Sequence, residues 1–290
     1  MPVDGAIGLL PALVKVGRQQ NPKLKIVLSI GGGTGSTQFP GVAADERKLA
    51  RMCTTAKEMV DKFGLDGIDI DWEYPRTVAE GASFVALLAA LRHHLPSPKY
   101  VLTAALPADQ ECLRLIDLVA LVNGPHPVID HINLMAYDFA GSWSAVSGHH
   151  AQLYAPSNPK HNFEKQSVAH ITDYLLGDRG VSPRRVVVGV PGYGRSFLAV
   201  LGRGEKFTGC GGQEGTHEYR DMPLPSSNEQ VDETLGAASC CQGNGAEWVS
   251  YDNPATHGNG HAFEVRKSVR ACPCVRPSQT IVSGSAPPDV

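Results

Sequence analysis

No apolar run in this chain reaches 18 residues, so the sequence offers no transmembrane helix. It also lacks an excess of positive charge. The 26 Lys and Arg stand against 29 Asp and Glu, a net −3, which gives no case for nucleic acid or an anionic membrane as partner. No basic residue precedes the apolar stretch Ala6-Ile7-Gly8-Leu9-Leu10. That stretch reads as the start of an amphipathic helix carrying Leu9, Leu10, Leu13 and Val14, not as a signal peptide. The sequon Asn-x-Ser/Thr is absent, which leaves the compartment open. The glycine-rich turn 31–35 has neither dinucleotide-binding spacing nor a P-loop Lys-Ser/Thr, and no cofactor is expected.

The seven cysteines are an odd number. Cys53 falls on the apolar stripe of an expected helix and reads as core. Cys210, Cys240 and Cys241 lie in a loop-like, Gly-rich stretch where a disulfide is possible. Cys272-Pro273-Cys274 has the look of half a zinc site, but no Cys or His partner follows, so no metal is expected there.

What is present is an alternation. Apolar runs at 24–30, 67–72, 100–106, 131–137 and 186–190 predict five strands. Between them, 3-4 spacing predicts helices at 45–63, with Asp45 as N-cap, around 84–91, at 112–122, and around 168–175 with a stop at Gly177. Continuous apolar strands alternating with amphipathic helices indicate a parallel sheet covered by helices. Gly, Tyr and Arg gather at the strand C-terminal ends, which points to a (β/α)8 barrel. A doubly wound open sheet is the competing fold.

The strand at 67–72 is unusual because four acids fall within the eight residues 66–73. Alternation puts Asp69, Asp71 and Glu73 on one face and Ile68, Ile70 and Trp72 on the other. Like charges ~7 Å apart in an apolar setting cannot all ionise cheaply, so at least one should hold a proton, as a general acid must. A divalent-metal site is the competing reading, but no further Asp/Asn ligand pattern accompanies the row. Asp66 before Gly67 reads as a structural hydrogen-bonding residue, Trp72 as packing, and His149-His150 as loop structure.

With these residues in view, the acidic strand resembles the DGxDxDxE motif of glycoside hydrolase family 18. Ser29-Ile30-Gly31-Gly32 is similar to the family's SxGG, Met135-Ala136-Tyr137-Asp138 to its MxYD, and Gly189 through Phe197 to its GxPxYGRxF. The wording from Tyr137 to His150 is most similar to fungal members. The resemblance implies hydrolysis of β-1,4-linked N-acetylglucosamine, in chitin or its oligosaccharides, with a nucleophile supplied by the substrate itself. It implies Glu73 as proton donor, Asp71 as holder of the acetamide N–H, Asp69 as its proton-sharing partner, and Tyr137 as donor to the acetyl oxygen. Met135, Asp138, Tyr193 and Arg195 would line the sugar sites, and Trp143 offers an aromatic platform for a pyranose face. An endo-β-N-acetylglucosaminidase and a non-catalytic chitin-binding lectin are the alternatives, and an extracellular location is the family expectation.

The resemblance also implies strands that this chain does not offer. Only 23 residues precede Leu24, too few for two βα units, and after Pro254 nothing matches an eighth strand with its tryptophan. The expectation is therefore an incomplete barrel over residues 1–196, a small α+β insert over 197–250, and a disordered tail over 251–290 in which only Gln279 to Ser283 looks strand-like. The strands 24–30 and 186–190 should then be open edges, making the chain less stable and more prone to aggregate than a complete barrel.

Overall fold

Two short strands, β1 (Pro2–Val3) and β2 (Ala6–Ile7), pair antiparallel ahead of helix α1 (Leu9–Gln20). That helix begins where the leucines place it, although Ala12 is its buried residue and Leu9 points to solvent. The structure, a computed structural model, describes residues 2–3, 6–256, 270–274 and 282–283. It divides into two compact units, one of residues 1–107, 111–133 and 277–290, the other of residues 108–110 and 134–276.

In the first unit, β3 (Lys25–Gly31) is followed by α2 (Phe39–Ala43), α3 (Glu46–Phe63), β4 (Gly67–Asp71), α4 (Val78–His94) and β5 (Val101–Pro107). The Asp45 carboxylate caps α3 by accepting from the Arg47 and Lys48 N–H groups at 2.9 and 3.1 Å. Gly64, at φ 64°, ends that helix in the left-handed region. Strands β3, β4 and β5 pair in parallel, with Ser29 opposite Asp69 and Asp69 opposite Thr103. The helix expected at 112–122 is instead two short ones, α5 (Gln110–Leu113) and α6 (Leu118–Val122), because Asp117 restarts the helix by capping the Ala120 N–H. Strand β6 (His131–Met135) follows.

Asp66 has the structural role expected of it. It accepts from the Ile26 N–H at 2.8 Å, Lys25 Nζ at 3.0 Å and Arg18 Nη2 at 3.1 Å, which ties α1 and β3 to the start of β4. Burial pushes its carboxyl up, but these three donors outweigh it and hold the group below the usual range. Trp72 packs as alternation requires: it is buried, stacked on Phe39 at 5.4 Å and edge-on to Phe84 at 6.0 Å.

In the second unit, α7 (Val168–Asp173) does not stop at Gly177. It widens into an i→i+5 turn over Tyr174–Asp178, and Gly180, at φ 64°, takes the left-handed position. β7 (Val186–Pro191) follows, then β8 (Tyr193–Leu198), β9 (Thr216–Glu218), β10 (Ser227–Asp232), β11 (Ala237–Gln242) and β12 (Glu247–Tyr251). The last five form an antiparallel sheet in the order β10-β11-β12-β8-β9. The segment 197–250 thus contributes to a sheet that begins at Tyr193. Phe197, Val200, Trp248 and Ala140 pack together in one cluster, and Leu224, Cys240, Val249 and Tyr251 in another.

Two expectations are corrected by the backbone pairing. Cys240 and Cys241 lie in strand β11, not a loop, so they point to opposite faces, and Cys210 with both of them is a free thiol. Within the segment expected to lack order, β13 (Arg270–Cys274) pairs in parallel with β7, from Arg270 opposite Val187 to Cys274 opposite Pro191. β14 (Val282–Ser283) pairs antiparallel with Lys25 and Ile26 of β3. Neither edge is left as open as expected, because an unpaired row of N–H and C=O groups recruits whatever extended chain can reach it. No pairing among the described strands closes the sheet into a barrel.

Candidate active site

Strand β4 carries the acids outward along one face. Asp69 is buried, while Asp71 and Glu73 are partly exposed. Three neighbours serve Asp69: Ser29 Oγ donates to Oδ2 at 2.7 Å, and Thr103 Oγ1 and Asn133 Nδ2 donate to Oδ1 at 2.5 and 2.9 Å. The parallel register creates this arrangement by setting Ser29, Asp69 and Thr103 at one level on adjacent strands. Burial raises the Asp69 carboxyl above the usual range, and the three hydrogen bonds oppose but do not cancel that effect. Asp69 is thus a carboxyl biased toward holding a proton, next along the face from Asp71.

The end of β4 is fixed by the glycine turn. Gly31 has φ 123°, and a Cβ there would lie 2.0 Å from the Asp71 carbonyl oxygen, so no other residue fits. The approach lets the Gly32 N–H donate to that carbonyl at 2.8 Å. The Ser36 hydroxyl, buried behind the turn, lies 2.8 Å from the Gly32 carbonyl and 3.0 Å from that of Asp71. The same hydroxyl accepts from the Glu73 N–H at 2.8 Å. The backbone of Glu73 is therefore held just beyond the strand, with Oε2 3.8 Å from where a Gly33 Cβ would stand.

The other site residues of the sequence belong to the second unit. Asp138 and Arg195 form a two-pronged ion pair, Nε to Oδ1 at 2.8 Å and Nη2 to Oδ2 at 2.7 Å. The Arg195 guanidinium also lies 4.8 Å from the Trp143 ring centre and 5.3 Å from that of Tyr193. Trp143 is 60% exposed, so its free face is open to a ligand. Tyr137 meets Tyr193 edge-on at 6.1 Å, and Met135 is half-buried at the end of β6. Burial and the nearby Asp138 carboxylate push the Tyr193 phenol far above its ordinary value. Its hydroxyl is buried with no hydrogen-bond partner among the described residues. Burial would raise Asp138 too, but His150 and Arg195 hold it well below the usual carboxylate range.

Four residues of these clusters escaped the sequence reading. Thr103 could have been found by aligning the neighbouring strand at Asp69, whereas Asn133 reaches in from β6, one strand further along the sheet. Ser36 gives no sequence signal beyond following a glycine turn. His150, read as loop structure, is fully buried with Nδ1 3.5 Å from Asp138 Oδ1. Among the described residues, no three His, Cys, Asp or Glu side chains form a group that could hold a metal.

A sequence profile of Glycosyl hydrolases family 18 matches residues 5–262. Chitinase 1 of Aphanocladium album is 35% identical over 250 residues, which are 82% of this chain and 57% of that protein. Endochitinase 1 of Metarhizium robertsii is 34% identical over 251 residues, with the same coverage of 82% and 57%. The chain thus spans a little over half the length of these fungal relatives. Among solved structures, an immunomodulatory active chitinase from Trichuris suis matches with a TM-score of 0.83 at 23% identity, covering 91% of this chain and 75% of that one. A chitinase from Cycas revoluta in complex with allosamidin matches with a TM-score of 0.79 at 25% identity, covering 90% and 78%. The fold is α/β of TIM-barrel type, incomplete among the described residues. With the profile extending over most of the sequence and the acidic strand, the glycine turn and the Asp138–Arg195 pair all in place, the chain belongs to glycosyl hydrolases family 18.

Proposed function

We propose that this chain hydrolyses β-1,4-linked N-acetylglucosamine, in chitin or its oligosaccharides, with retention at the anomeric carbon. The observation that carries the reading is the acidic row: a buried Asp69 biased toward its protonated form, followed by Asp71 and by a Glu73 whose backbone is pinned by Ser36. A carboxylic acid at Glu73 would give its proton to the glycosidic oxygen as the C1–O bond breaks. The acetamide carbonyl of the same sugar would close onto C1, giving an oxazolinium ion and no bond to the protein. Asp71 would hold the acetamide N–H and balance the positive charge. Asp69 would take up or release a proton as Asp71 changes state, so the two titrate as a pair. Water would then open the ring, with the Glu73 carboxylate accepting its proton.

Tyr137 would orient the acetyl oxygen. The buried Tyr193 hydroxyl supports sugar binding in the second unit, since an unmatched buried hydroxyl costs about 1–3 kcal/mol unless a ligand group pairs with it. Exposed Trp143, backed by Arg195, suits a pyranose face. The names of the relatives as chitinases, and the complex of the Cycas revoluta enzyme with (GlcNAc)3, support the substrate class. The test is to incubate the chain with chitotetraose and follow the anomeric protons by NMR. Release of β-anomer first is expected. Release of α-anomer first would exclude the substrate-assisted route, and binding without release would favour a lectin.

A further inference from the structure

We propose that His150 is a positioning residue for substrate binding: together with Arg195 it holds the Asp138 carboxylate in place, and so sets how tightly the sugar is held. The inference rests on the reading above, that Asp138, Tyr193 and Arg195 bind the sugar. Asp138 has φ 63°, a left-handed conformation that few residues other than glycine adopt, so something must hold it there. Arg195 grips both oxygens from one side. The imidazole of His150 stands against Oδ1 at 3.5 Å, fully excluded from solvent. Its ring lies 5.3 Å from that of Tyr193, the other buried group facing this carboxylate.

His150 is itself held from two directions. Its carbonyl accepts the Phe139 N–H at 3.0 Å, directly after Asp138, and its N–H donates to Ser250 Oγ on β12 at 3.3 Å. The preceding His149 turns the other way, with Nδ1 3.0 Å from Ser250 Oγ and its ring 5.2 Å from Trp248. The tandem imidazoles thus divide their work, His149 joining the core around Trp248 and His150 the ion pair. Neither nitrogen of His150 has a hydrogen bond of good geometry among the described residues, so the 3.5 Å approach to Asp138 is its polar engagement. An apolar residue of similar size would fill the space but leave one side of Oδ1 unsupported.

The test compares wild type with His150→Leu, His150→Gln, Asp138→Asn and the double variant His150→Leu/Asp138→Asn, using a fluorogenic chitobioside. Losing a charge-assisted contact should raise KM about tenfold in His150→Leu, with kcat changed less than about threefold. His150→Gln, which can still donate to Oδ1, should recover most of the loss. The double variant should be no worse than Asp138→Asn alone, because the two changes remove one arrangement. Carbon-13 NMR of the Asp138 carboxyl should show it titrating at higher pH in His150→Leu than in wild type. A KM within twofold of wild type, or an unmoved Asp138 titration, would overturn the proposal. If wild type itself does not hydrolyse the substrate, the functional reading fails, and the NMR comparison still decides whether His150 holds Asp138. Should His150→Leu not fold, His150→Ala replaces it in the titration and must show the upward shift, with His150→Gln closer to wild type.

Discussion

Asp69 and Asp138 are both carboxyls removed from bulk water, yet their surroundings drive them in opposite directions. Asp138 has the Arg195 guanidinium on both oxygens and the His150 imidazole beside Oδ1, and is held ionised. Asp69 has only neutral donors, Ser29, Thr103 and Asn133, and burial wins. The sign for Asp69 follows from linkage. A carboxyl whose folded pKa is raised stabilises the fold fully below its unfolded pKa and loses that contribution as pH rises through its folded value. Asp69→Asn removes this dependence while keeping an acceptor for Thr103. The melting temperature of Asp69→Asn relative to wild type should therefore climb as pH goes from about 4 to 7. A difference that stays flat, or falls, would show that Asp69 is not held protonated by its burial. Ser36 is the other residue to probe. Ser36→Ala leaves the Glu73 N–H without its acceptor, and we expect a loss of about 1 kcal/mol in chemical denaturation. A fall of about tenfold in kcat should accompany it, because Glu73, the proposed proton donor, loses its support. A stability loss with unchanged kcat would reduce Ser36 to a purely structural residue.

At the scale of elements, β3, β4 and β5 were legible because buried parallel strands are written as unbroken apolar runs, and the acids of β4 stood out against that background. Helix α3 was legible from its stripe and its Asp45 cap. The 112–122 helix was misread because leucine spacing alone does not reveal a break, and the Asp117 cap that makes one is a single residue. Strand β13 was missed for a different reason. Arg270-Ala271-Cys272-Pro273-Cys274 has no apolar run and contains a proline, which removes a ladder donor and is tolerated only where one side of the strand is free. Its pairing comes from the need of β7 for a neighbour, a tertiary demand with no local signature. A chain ending at Thr256 should therefore expose that side of β7, melt several degrees lower and aggregate at concentrations where the full chain stays monomeric. Light scattering during a thermal ramp reads both effects, and identical curves for the two chains would mean that β13 protects nothing.

For the whole molecule, the separation that matters is between the acidic row and its frame. Asp69, Asp71 and Glu73 lie on one strand and its exit, supported by residues of the same unit, whereas the chain spans 57% of the fungal chitinases it resembles. The candidate site was legible to the extent that it is written in short motifs: the acidic strand, the glycine turn, Tyr137-Asp138 and Tyr193 to Arg195. The residues that escaped, Thr103, Asn133, Ser36 and His150, act through the register or through contacts across loops, and neither is encoded in local spacing. The central claim is that Glu73 is the proton donor of a working hydrolase. Its most direct test is the rate of fluorogenic chitobioside hydrolysis by this chain beside Glu73→Gln, with chitotetraose affinity measured on both. The account predicts turnover by wild type, a loss of at least about a hundredfold in Glu73→Gln, and nearly equal affinities. Equal rates in the two proteins would contradict it.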